Sequence, residues 1–283
     1  MSKTFKKLTA LVLVLIIVLS FASCDSPISK GPQYRVNENT AALYRYKSST
    51  TEREFTVADT YEDKPVTELM AFSLANAEYL EVLNIGKNIE VIDVWALTNC
   101  PLLKAINVDG ENPYFTSVDG VLYNKDMTEI LAYPNGKTPI ETDDSGAIVG
   151  GGTIVLPDTV KTIRENAFYL CSNLYSVTLN ERLETIGDKA FLKCANLQNV
   201  KFPSTLTEIG TDAFSYCNSF TALEIPASVQ KINDYAFFST ASKIEKIVIH
   251  KASENDLELG KDWIPSKESS IRDKVPVEYV GAE

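Results

Sequence analysis

Twenty-three residues separate the members of a recurring set in this chain, and that spacing limits its possible folds more than any other feature. The segments that begin at Ile163, Ile186, Ile209 and Ile232 align without a gap. The pairs Ala167-Phe168, Ala190-Phe191, Ala213-Phe214 and Ala236-Phe237 share one phase of the grid. Cys171, Cys194 and Cys217 share another, with Thr240 in the next place. A weaker form continues upstream. Ile92 is followed by Ala96-Leu97, Cys100, Leu103, Ile106 and Val108 at the same offsets, and Leu69 brings Ser73-Leu74, Leu80, Leu83 and Ile85 into register. From Ile92 to Ile163 is 71 residues, two more than three repeats, so the grid is interrupted once, after Val108. A one-residue slip after Thr240 moves the last strand to Ile244, Ile247 and Ile249.

Each unit has two parts. In Leu174-x-x-Val177-x-Leu179 the alternation places Val177 and Leu179 on one face of a short strand. Pro157, Pro203 and Pro226 close such strands, since proline cannot continue a ladder. The second part, I-x-x-x-A-F-x-x-C, has a spacing that predicts a helical or 3₁₀ turn, with Ala permitting close approach and Phe filling the space between coils. No unit can bury its own apolar edge, so units must stack and pair their strands in parallel. The expected fold is an α/β repeat solenoid of short parallel strands and short helical or 3₁₀ turns, with a hairpin insert and terminal caps.

The strand motif is the leucine-rich-repeat signature, and the recurring I-G-x-x-A-F-x-x-C-x-x-L-x-x-V-x-I-P resembles the BspA-type leucine-rich repeat of bacterial surface proteins. The resemblance covers residues 34–250. The stretch from Asn112-Pro113-Tyr114 through Asp119-Gly120-Val121-Leu122-Tyr123 to Leu131-Ala132-Tyr133-Pro134 is similar to an insert common in that family. Read from its residues, the insert (about 110–152) is a β-hairpin, Val121–Tyr123 and Ile130–Tyr133 flanking a turn, followed by a Gly-rich loop. Residues 34–57 read as an N-terminal cap and 251–283 as a C-terminal one.

The N-terminus is organised for export. Lys3, Lys6 and Lys7 precede the apolar run Leu8–Leu19, and small residues follow, the pattern of a signal peptide over 1–23. Phe21-Ala22-Ser23-Cys24 resembles the bacterial lipobox, which implies acylation of Cys24 and membrane anchorage through its lipid. Residues 24–33 then form a tether. Removing the leader leaves 24 basic residues against 38 acidic ones, a formal charge of −14, which argues against nucleic acid as partner.

Little catalytic chemistry is present. His250 is the single histidine, which excludes an H-E-x-x-H zinc site, and neither a G-x-S-x-G elbow nor a phosphate-binding loop occurs. Cys100, Cys171, Cys194 and Cys217 sit at one phase of their coils, as buried small hydrophobes would; disulfides are the alternative in an oxidising compartment. No metal, cofactor or catalytic residue is assigned, and the chain is read as a non-enzyme. Binding remains. The outward column Asn84, Asn107, Thr178, Lys201 and Glu224 marks a candidate strand-face surface, and Tyr123 and Tyr133 are candidate exposed aromatics on the hairpin. The resemblance implies an adhesin-like lipoprotein at the cell surface, recognising host matrix or other cell-surface protein or glycan. An envelope scaffold, or a capture protein for carbohydrate or peptide, are the other readings.

Overall fold

The computed structural model describes residues 31–47, 50–198, 200–240, 244–263 and 275–281. The expected leader, the lipid-attachment residue Cys24 and most of the tether lie outside them.

Every coil of the stack passes through three walls. The first is set by the repeat's isoleucine. Thr162–Ile163, Thr185–Ile186, Glu208–Ile209 and Lys231–Ile232 are two-residue strands paired in parallel, Ile against Ile. Each isoleucine is buried and its neighbour points outward, as the two-residue side-chain period requires. The second wall is the strand face. Glu54–Thr56, Val82–Ile85 and Ala105–Val108 form one parallel sheet, Gly152–Val155 pairs with Leu174–Thr178, and Leu223–Ile225, Ile247–Ile249 and Val277–Tyr279 form a third sheet. The segment around Lys201, expected to supply a strand, carries none among its described residues.

The third wall corrects the expected helical turns. The I-x-x-x-A-F-x-x-C stretch is a run of tight turns. Asn166, Lys189, Asp212 and Tyr235 have φ of 61°, 54°, 54° and 57°, and Leu170, Lys193, Tyr216 and Ser239 have 61°, 63°, 61° and 56°. A right-handed helix cannot hold two left-handed residues four apart. The hydrogen bonds show what favours the turns. Ala167, Tyr169 and Cys171 N–H donate within their own coil, to Arg164, Asn166 and Phe168 carbonyls (3.1, 3.0 and 3.1 Å). Asn166, Phe168 and Leu170 N–H donate instead to the next coil, to Asp188, Ala190 and Leu192 carbonyls (3.1, 2.8 and 2.9 Å). A helix keeps all its bonds to itself; this wall shares half of them and so knits the coils together. Among the described residues the one helical element is a 3₁₀ turn, Glu254–Asp256.

Inside the walls the repeated phenylalanines stack as a spine. Phe168, Phe191, Phe214 and Phe237 follow one another at ring separations of 4.7, 4.9 and 5.3 Å, with nearly parallel planes. The glycine after the isoleucine lets coils close up: a Cβ on Gly210 would stand 2.5 Å from the Asp188 backbone nitrogen, and one on Gly187 2.7 Å from that of Glu165.

The interruption is built into the stack. Val121–Asn124 and Glu129–Ala132 form an antiparallel hairpin, and the second strand pairs in parallel with Thr162–Ile163, so Ile130 occupies an isoleucine position. One set of its side chains, Val121, Tyr123, Ile130 and Tyr133, enters the C-terminal core. The other, Leu122 and Leu131 with nearby Phe115, enters the N-terminal core. The described segments on either side of the grid also continue the coils: Leu43 pairs with Leu69 ahead of it, and Leu259 with Ile232 behind it.

Candidate functional site

An open groove of about 330 Å³ runs over the strand face of the N-terminal coils, lined by Thr56, Asp59, Asn84, Asn107 and Asp109 together with Val57, Ala58, Ile85, Gly86 and Val108. Parallel register puts Thr56, Asn84 and Asn107 side by side on adjacent strands. Their side chains bond across the stack: Asn107 Nδ2 donates to Asn84 Oδ1 (2.9 Å), and Asn84 Nδ2 donates to Glu54 Oε1 (2.7 Å) and Thr56 Oγ1 (3.1 Å). The ladder orients these amides without using all their capacity, since each amide carries two donors and an acceptor with two lone pairs. Asp59 and Asp109 add two acidic side chains to the lining. Ion pairs flank the strands, Lys104 and Arg53 with Glu81 (2.6 and 3.7 Å) and Lys87 with Glu111 (3.0 Å). The bond from Lys104 lowers the pKa of Glu81, keeping that carboxylate ionised.

The sequence-derived column therefore divides. Asn84 and Asn107 meet in the groove. Thr178, Lys201 and Glu224 are exposed on the C-terminal coils and do not line it, and Glu224 bonds to Nε2 of His250 just past the adjacent strand. Thr56, Asp59 and Asp109 were not among the expected residues. Thr56 lies 28 residues before Asn84, off the 23-residue grid, so periodicity could not find it.

Tyr123 and Tyr133 are corrections. They are 3% and 5% exposed, against the expectation of surface aromatics. Tyr133 stacks on Phe168 at 5.2 Å as the first ring of the phenylalanine spine, and Tyr123 lies in the same core. Both faces of the hairpin meet protein, so both rings are buried. Burial raises both phenols to a pKa of about 12.

The four described cysteines are free and buried. Cys100, Cys194 and Cys217 Sγ donate to the carbonyls of Leu74, Phe168 and Phe191, 26 residues back in each case, at 3.3, 3.1 and 3.1 Å. Burial raises the thiol pKa values, Cys100 to about 12, so they are poor nucleophiles. Among the described residues no group of three or more His, Cys, Asp or Glu could hold a metal ion.

No curated protein matches the sequence. A leucine-rich repeat protein from Eubacterium ventriosum is 18% identical with a TM-score of 0.54, over 77% of this chain and 65% of that one, and it shares the fold. A leucine-rich cell surface protein from Faecalibacterium prausnitzii is 17% identical (TM-score 0.45, 90% of this chain and 99% of that one). The pneumococcal vaccine antigen PcpA is likewise 17% identical (TM-score 0.46, 87% and 88%). The model of the BspA-type leucine-rich repeat region matches residues 152–257, in six copies. The isoleucine ladder, the phenylalanine spine and most of the cysteine column fall within that span, so it is over residues 152–257 that this chain is similar to the BspA-type leucine-rich repeat region.

Proposed function

We infer that this protein is a non-catalytic binding module of the adhesin kind, held at the cell surface through a lipid on Cys24 and recognising matrix proteins or other cell-surface macromolecules. The observation that carries the reading is the open strand-face groove with its preformed ladder Thr56–Asn84–Asn107. A rigid row of amides with spare donors and acceptors suits an extended polar ligand laid across the strands, because their ordering cost is met on folding. The BspA-type repeat region supports the reading, since stacked repeats expose a continuous surface for a macromolecular ligand.

The chain lacking its leader, immobilised, should show saturable binding to at least one of a set of matrix proteins, mucins and whole bacterial surfaces. The double variant Asn84→Ala, Asn107→Ala should weaken that binding at least tenfold with the fold retained. Absence of saturable binding to every member of the set would overturn the reading. Binding untouched by the double variant would remove the groove from it. Anchorage is tested separately: Cys24→Ala should release the protein from membranes, and protease should shave the wild type from intact cells.

A further inference from the structure

The interruption in the repeat creates a junction that no single unit contains. The coil starting at Ile92 and the coil starting at Ile163 meet there, although 71 residues separate them. Arg164 reaches across, its guanidinium donating to the Ile92 carbonyl at 2.7 Å, and the Asn166 amide makes a long 3.4 Å contact to the Val94 carbonyl. Between the coils lies a cleft of about 20 Å³, lined by Asp93, Thr98, Asn135, Arg164, Asn166 and Tyr169 among others. That is room for about one water-sized group. Asn166 is only 7% exposed, and its Oδ1 has no hydrogen-bond partner. An acceptor left so is costly unless a donor reaches it.

Beside the cleft runs a row of rings. Tyr169 meets Trp95 edge-on at 6.0 Å, and Trp95 meets Phe72 at 5.8 Å. Phe72 is 60% exposed. Its backbone is left-handed, with φ of 59°, as at the equivalent position of later coils in the turn wall. The equivalent position after Ile163 holds Asn166 and the one after Leu69 holds Phe72, so the wall presents an aromatic where an amide conformationally suits better. Local charge is internally balanced, with Lys189 5.3 Å over the Trp95 ring and 3.9 Å from Glu165.

We propose that this junction is a carbohydrate site, in which a neutral oligosaccharide stacks on the exposed Phe72 beside Trp95 and places one hydroxyl in the cleft against Asn166 Oδ1. The features select among ligands. Aromatic faces carry negative potential that suits the C–H face of a sugar ring. The cleft admits a hydroxyl and not the bulky anchor that a protein hot spot inserts. The paired charges offer no net field to an anionic ligand. Two ring steps outrun a single sugar, so an oligosaccharide is favoured over a monosaccharide.

The test titrates the leaderless chain with cellotriose, maltotriose, mannotriose and chitotriose, reading calorimetry and tryptophan fluorescence. Trp263 is buried at the far end, so a Trp263→Phe background isolates Trp95. At least one trisaccharide should bind and shift the Trp95 emission. Phe72→Asn removes the ring while keeping a residue suited to positive φ, and should weaken binding at least tenfold with an unchanged melting temperature. Asn166→Leu should do likewise, and the Asn84, Asn107 double variant should leave trisaccharide binding intact. No binding by any of the four at 10 mM (roughly the weakest affinity of interest), or binding that survives Phe72→Asn, overturns the proposal. Preference for a sulfated or sialylated analogue over the neutral sugar overturns it as well.

Discussion

At the residue scale the repeat is held by small groups in fixed places. The cysteine column is one. Each thiol of Cys100, Cys194 and Cys217 donates a hydrogen bond to a carbonyl of the preceding coil, a task needing a small, weakly polar donor. Cys194→Ala removes that donor and leaves a void, so a loss of about 1–3 kcal/mol is expected in denaturant unfolding. In a Cys24→Ser chain, the four remaining thiols should be silent to an aqueous thiol reagent and react together on unfolding. Fast reaction of the native protein would show that the column opens. The glycine after the isoleucine is the other fixed point. Gly210→Ala drives a methyl into the backbone of Asp188 and should cost about 1–3 kcal/mol.

At the element scale the hairpin behaves as part of the stack. Its strands alternate between two cores, so its tyrosines serve as packing where surface chemistry had been expected. Tyr133→Phe should change stability little, whereas Tyr133→Ala should cost about 3–5 kcal/mol, because the spine loses its first ring. Equal small effects from both would return Tyr133 to the surface. The same element shows how far the candidate site was legible. Asn84 and Asn107 were found because the side-chain period and the 23-residue grid place both outward on adjacent strands. Asp59 and Asp109 were not, since they follow the strands in loops whose lengths vary. The tyrosines were misplaced because alternation identifies two faces of a hairpin without saying what covers each.

At the scale of the whole molecule, the two cores share one seam. Arg164 is half-buried there, and burial lowers its pKa against the opposing pull of Glu129, Asp93 and Glu165. Arg164→Ala breaks the bond to Ile92 and strands Glu129 in a setting that already raises its pKa by burial. We expect this variant to unfold in two denaturant steps, read by tryptophan fluorescence at Trp95 in the N-terminal stack and Trp263 in the C-terminal one. Superimposed transitions would show that the seam does not depend on Arg164. Alkali should destabilise the whole. Cys100 rises from 9.0 to about 12, and Tyr123 and Tyr133 from 10.0 to about 12. Groups raised on folding contribute stability that is complete below the unfolded value and lost as pH climbs through the folded one. Melting temperatures should therefore hold up to about pH 9 and fall between pH 9 and 12. A melting temperature that stays level through this window would mean these groups reach solvent in the native state.

The sequence by itself determined the repeat, its phase, the buried column of Ile, Phe and Cys, and the place where the grid breaks. Those features are local, because burial of a periodic apolar side chain leaves its mark on spacing alone. Tertiary structure decided that the turns are not helical, since half of their N–H groups bond to a neighbouring coil that no window of sequence contains. It decided too that the off-grid ends join the stack: backbone ladders need only a strand alongside, and loops absorb the difference in length. The junction of Phe72, Trp95, Tyr169 and Asn166 has the same origin. It exists only where two coils 71 residues apart are brought edge to edge by the hairpin between them.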